Sequence, residues 1–119
     1  MSDQLKVYSE AEIQAKLAQE LPGWFLEGKW IQRQYKTDGW PATLMLVNTI
    51  GYVAEAAFHH PDLEVSWAKV GVKLQTHSAA GVTDKDFELA KKIESVVLWR
   101  PEPDSVFKGG TPNKWVRAG

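Results

Sequence analysis

The spacing of apolar residues switches along this chain between the period of a helix and that of a strand, and each switch marks an element. Ser9 and Glu12 stand three apart before an apolar series. That is the capping-box arrangement, in which a hydroxyl serves a free first-turn amide and a carboxylate reaches back. Ile13, Leu17 and Leu21 then recur every four residues, which predicts a short amphipathic helix stopped at Pro22-Gly23. Trp24-Phe25-Leu26 and Trp30 to Tyr35 flank Glu27-Gly28-Lys29, the pattern of two aromatic-rich strands around a glycine-bearing turn.

After Thr37-Asp38-Gly39, Pro41 suits the first turn of a second helix, and the helical pattern runs from Ala42 to Phe58. At about 100° per residue, Leu46, Ile50, Val53 and Ala57 share a broad arc with Val47, Gly51, Ala54 and Phe58. So wide an apolar surface calls for cover on more than one side, by the sheet and by a second subunit. Asn48, Tyr52, Glu55 and His59 line one edge of the arc, at the expected border of the core. Pro61 holds His60 extended and ends the helix there.

Glu64 to Trp67 and Val70 to Thr76 read as a second hairpin, with Val70, Val72, Leu74 and Thr76 alternating with Gly71, Lys73 and Gln75. Ala68-Lys69 is weak turn chemistry, so this pairing rests on pattern alone. Ser78 to Val82 is a loop of small residues, and Thr83 with Asp86 forms a second capping signature. Leu89, Ala90, Ile93, Val96 and Val97 stripe the last helix, which ends at Arg100-Pro101. The order is α-β-β-α-β-β-α. It predicts an α+β protein with a four-stranded antiparallel sheet and helices packed on one face.

Composition narrows the class. With 119 residues, 44% hydrophobic and 24% charged, the chain is one soluble globular domain able to bury its own core. Residues 1–100 carry the predicted elements. Residues 101–119, with three prolines and Gly109-Gly110, read as an irregular C-terminal extension rather than a separate domain. Phe107 and Trp115 suggest that this extension packs onto something. The absence of cysteine removes disulfides and thiolate metal sites, and it fits a cytoplasmic location. A net charge of -1 with no basic cluster argues against direct contact with nucleic acid. No apolar run approaches the roughly 20 residues of a membrane span, and Met1-Ser2-Asp3-Gln4 lacks a signal-peptide pattern, so no membrane contact is expected. The six tryptophans read mainly as core and interface bulk.

Candidate chemistry is concentrated. All three histidines, His59, His60 and His77, fall in the middle of the chain, and Glu55 stands four residues before the first. Histidine exchanges protons near neutral pH, so a cluster of them suggests proton transfer. Glu55 and His59, at i and i+4, are expected to meet on the helix. His77 sits at a strand end before a loop, and Asp86 is placed either to bond an imidazole or to serve the helix dipole. Three readings remain open on the residues alone: general acid-base catalysis, a zinc site completed by Glu55, or three histidines satisfied structurally. The zinc reading is weakened by the adjacency of His59 and His60, which diverge unless the helix ends between them. No phosphate-binding glycine loop or nucleophile elbow is present.

Glu55, three residues, His59-His60-Pro61, five residues, Trp67, nine residues, His77, eight residues and Asp86 form a spaced signature. It resembles that of the pterin-4a-carbinolamine dehydratases, and the predicted element order agrees with that family's fold. The resemblance implies a hydro-lyase that removes water from a 4a-hydroxytetrahydropterin to give the quinonoid dihydropterin, with no metal or other cofactor. It implies His59 and His77 as the proton-handling pair and His60 as a catalytic or pterin-gripping group. By the same resemblance Glu55 orients an imidazole or binds the pterin edge, Pro61 and Trp67 shape a flat slot, and Asp86 stands behind them. Leu63 and Trp67 depart from frequent family residues and imply an altered pocket wall. The pterin substrate is the expected small-molecule partner, and a dimer or tetramer through the apolar back of the second helix is expected. Family branches that serve as a transcriptional coactivator or in Rubisco assembly imply an alternative, a non-catalytic binding module of the same fold with a protein partner. On the enzymatic reading the three imidazoles converge around one hollow.

Overall fold

The computed structural model describes residues 5–107 and 116–117. Helix α1 spans Glu10–Glu20 and opens on the expected box: the Glu12 N–H donates to the Ser9 hydroxyl at 3.2 Å and the Ser9 N–H to Glu12 at 2.8 Å. Strands β1 (Phe25–Glu27) and β2 (Trp30–Thr37) form the first hairpin. Gly28 turns it at φ +62°, with open space around the position where a Cβ would stand. Conformation, not crowding, calls for glycine there.

Helix α2 (Trp40–Ala57) carries the chain across the sheet to a second hairpin, β3 (Asp62–Ser66) and β4 (Lys69–Leu74). A 3-10 turn, His77–Ala79, leads to α3 (Asp84–Val97). Each strand of the second hairpin is shifted toward its N-terminal side of the expected span. Thr76 lies beyond β4 in an isolated bridge to Gly81.

The antiparallel sheet has the order β1-β2-β4-β3. Ile31, Arg33 and Tyr35 pair with Leu74, Val72 and Val70 on the face turned to the helices. That face and the apolar sides of α1, α2 and α3 form one core, in which Ile31, Tyr35, Ile50, Val70, Val72, Leu74, Phe87 and Ile93 have no exposure. Burying one such aliphatic side chain contributes about 1.5–3 kcal/mol. The α+β architecture with helices on one face is therefore as the apolar periods predict.

Two features were outside the sequence reading. Glu94 of α3 accepts from Arg33 Nε at 2.8 Å, Tyr35 Oη at 2.5 Å and Trp24 Nε1 at 3.2 Å. This cluster lets a buried arginine stand in the core face of β2. Burial, followed by the hydrogen bond to Glu94, pushes the Tyr35 hydroxyl well above the ordinary phenol range. The second feature corrects the irregular tail: Val116–Arg117 forms β5, antiparallel to Lys36–Thr37 of β2, and Arg100 donates to Val116 O at 2.6 Å. Phe107 packs edge-on to Trp99, whereas Trp115 lies outside the described residues.

Candidate active site

The end of α2 aims the first two histidines. Phe58 adopts a left-handed backbone with φ 50° and ψ 45°. Its N–H donates to Glu55 O and the His59 N–H to Ala54 O, both at 3.1 Å. Those two bonds make a Schellman stop, formed here without glycine. The helix therefore ends at Ala57, ahead of the stop expected from Pro61, and His59 lies outside it.

This changes the pairing expected from i, i+4 spacing. Glu55 does not meet His59; its Oε1 lies 2.8 Å from His60 Nε2. His59 Nε2 instead lies 2.7 Å from Asp86 Oδ1 in the first turn of α3. The stripe of Asn48, Tyr52 and Glu55 faces solvent rather than the core border, with Tyr52 78% exposed.

Asp86 has no exposure. Its second oxygen accepts from the Thr76 hydroxyl at 2.8 Å and the Thr83 N–H at 2.9 Å, and the two threonine hydroxyls are 2.8 Å apart. Cap and imidazole partner, posed above as alternatives, are both met by this one side chain. Charge-assisted bonds of this kind offset the cost of burying a carboxylate. Among the described residues no buried side-chain nitrogen or oxygen lacks a partner.

His77 follows Thr76 directly and is exposed. Its ring stands edge-on to Trp30, with centroids 5.6 Å apart and planes at 78°. Trp30 occupies the helix-free face of β2, since Ile31, Arg33 and Tyr35 take the core face. Along the sequence Trp30 reads only as a strand residue. The alternation of β2, which sets position 30 opposite to the core positions, is the signal that could have found it.

The β3–β4 register explains why the histidines share one end of the sheet. Asp62 pairs with Lys73, and the same register carried past the strand ends sets His59 opposite Thr76. Pro61, half-buried, leads from His60 into β3. Trp67 stands at the other end of this hairpin, roughly 20 Å along the strand. Its ring packs against Gly39 (φ +150°), where a Cβ would come within 3.3 Å of Trp67. The backbone oxygen of Trp67 accepts from the buried Thr43 hydroxyl at 2.8 Å. A single copy of the chain thus does not bring Trp67 to the histidines, and Leu63 packs against the core.

Among the described residues each ring has its own support: His59 leans on α3, His60 on the end of α2 and His77 on β2. One cleft nearby, of about 490 Å³, is lined by Ala57, Asp84, Glu88, Leu89 and Lys92. Another, of about 290 Å³, is lined by Tyr8, Ile13, Leu26, Gly28 and Ala80. Neither is walled by a histidine. The candidate site is the rim of the sheet at this end. Among the described residues, no three His, Asp or Glu side chains gather as a metal-binding group.

The fold is that of the pterin dehydratases. The family model for pterin 4 alpha carbinolamine dehydratase matches residues 6–96, and the chain belongs to that family. A relative from Aquifex aeolicus, provisionally named pterin-4-alpha-carbinolamine dehydratase, is 47% identical over 89 residues, covering 75% of this chain and 89% of its own. Another with that provisional name, from a Roseiflexus species, is 39% identical over 75% of this chain and 95% of its own. The crystal structure of a transcriptional coactivator/pterin dehydratase from Brucella melitensis superposes with a TM-score of 0.69 at 28% identity, covering 76% of this chain and 97% of that one. A pterin dehydratase-like protein described as a RuBisCO assembly factor of the alpha-carboxysome shares the fold, at 13% identity and a TM-score of 0.54, over 61% of this chain and 87% of that one.

Asp86→Ala removes one acceptor shared by Thr76, Thr83 and His59. It is expected to lower unfolding stability by about 2–4 kcal/mol in urea titration, and Asp86→Asn, which keeps one acceptor oxygen, by less. Equal stability of Asp86→Ala and wild type would contradict the network.

Proposed function

We propose that this protein dehydrates a 4a-hydroxytetrahydropterin to the quinonoid dihydropterin and water, with histidines as acid and base. The observation that carries the reading is the gathering of all three imidazoles at one sheet end, within the stretch that matches the dehydratase family. In the reaction a pterin nitrogen gives up a proton and its electron pair forms the new double bond to C4a. The C4a–O bond breaks and the hydroxyl leaves with a proton as water. Two groups that exchange protons near neutrality meet this need.

On this reading His59 and His77 handle the protons. Asp86, bonded to His59 Nε2, fixes the imidazole and leaves its other nitrogen for the substrate. His60, bonded to Glu55, grips the polar edge of the pterin beside Pro61. The decay of freshly generated 4a-carbinolamine tests the reading. Wild type accelerates it, and His59→Ala or His77→Ala lowers the rate by ~10²-fold or more. A wild-type rate equal to buffer alone sinks it.

The rim has a natural cover. Leu44, Met45, Tyr52 and Phe58 of the α2 stretch are exposed, Tyr52 and Phe58 by 78% and 80%. Phe58 also stands 5.6 Å from the His60 ring. A second copy seated on this stripe would bury apolar surface and close the rim beside His60. Sedimentation of wild type as a dimer or tetramer, and of the Met45→Lys, Tyr52→Lys double variant as a monomer, is expected. Equal masses for the two would contradict this interface.

The coactivator part of the Brucella relative's description supports a second reading, a module that binds a protein partner. Residues 101–119 lie outside the family match, and β5 joins the sheet at Lys36–Thr37, near Trp67 and away from the histidines. A partner held there would leave the rim free.

A further inference from the structure

We propose that Trp30 is a positioning residue that fixes the His77 imidazole for proton transfer, an inference that rests on the dehydratase reading above. The three imidazoles are held in two different ways. His59 and His60 each bring one ring nitrogen to a carboxylate, Asp86 and Glu55, at 2.7 and 2.8 Å. Among the described residues the His77 ring has no hydrogen-bonded or ionic partner; its contact is the aromatic face-to-edge pair with Trp30. An exposed imidazole at the start of a 3-10 turn would otherwise spread over several rotamers.

Trp30 is itself anchored. It opens β2 and pairs with Glu27 across the tight Gly28 turn. From the neighbouring strand β4, Lys73 Nζ lies 4.7 Å from the centroid of its ring, a cation–π contact. The indole is half-buried although, among the described residues, no helix covers that face of the sheet. The pair geometry with His77 is the T-shaped arrangement that aromatic rings favour.

This mode of holding has a chemical consequence. An aromatic neighbour sets the direction of an imidazole without occupying either nitrogen. His77 can then take and return a proton with no protein hydrogen bond to break, which suits the group that must change protonation state twice per turnover. Trp30 touches no reacting atom in this account; it acts through His77, by keeping one rotamer populated in the attack geometry.

The test compares Trp30→Leu, Trp30→Phe, His77→Ala and the Trp30→Leu, His77→Ala pair in the carbinolamine assay, with thermal unfolding as a control. Trp30→Leu is expected to lower kcat roughly tenfold with KM within about twofold, and Trp30→Phe to recover most of the loss. In the His77→Ala background Trp30→Leu should change nothing further. The ring-proton resonances of His77 should move in Trp30→Leu, where the ring current of the indole is lost. An active wild type with an unaltered Trp30→Leu, or an equal loss in the His77→Ala background, overturns the inference and leaves the dehydratase reading standing. A wild type with no rate above buffer overturns the dehydratase reading and, with it, a role in proton transfer; the resonances then report the contact alone.

Discussion

Asp86 sits without exposure in the first turn of α3, and donors from three separate stretches of chain converge on it. The Thr83 amide comes from the loop that enters α3, the Thr76 hydroxyl from the bridge beyond β4, and the His59 imidazole from just past α2. A buried carboxylate is stable only when its lone pairs are used, and here both oxygens are used. The helix N-terminus adds a favourable field for its negative charge. Because the partners belong to different elements, the carboxylate couples packing to site geometry. Moving α3 relative to the β3–β4 hairpin would withdraw the group that fixes His59.

Much of this could be read along the chain, and the reasons are physical. The apolar periods placed the α1, α2 and α3 stretches and both hairpins, because each buries one face and its neighbours must cover it. Ser9 and Thr83 announced their helices because a capping box needs fixed spacing between two side chains. What was not legible depends on backbone choices that composition leaves open. Phe58 takes a left-handed conformation with no glycine or asparagine to signal it, and that single residue releases His59 from α2. Glu55 then finds His60 rather than His59. The register of β3 with β4 separates Trp67 from His60, although the two stand close in the linear signature. Glu94 and its three donors are far apart in sequence, so no local pattern joins them.

The two ends of the sheet have different characters. One end carries three imidazoles, a buried carboxylate and an indole. At the other, Thr37, Gly39, Thr43 and Trp67 tie the start of α2 to the second hairpin through buried hydroxyls. The extension docks at that second end through β5 and the Arg100 bond. The family match spans 6–96, so it takes in both ends, every histidine and Trp67 alike, and leaves out the extension. A protein of this layout can carry chemistry and an added contact surface without one obstructing the other.

The proposed dehydration needs a pterin lying against the histidine rim, and an NMR titration of the labelled protein with an oxidised pterin analogue tests that contact directly. The ring resonances of His59, His60 and His77 and the indole of Trp30 should shift together and saturate, while the Trp67 indole stays in place. Saturable shifts centred on Trp67 and Trp99 with the histidines unmoved, or no saturable shift at any of these rings, would contradict it.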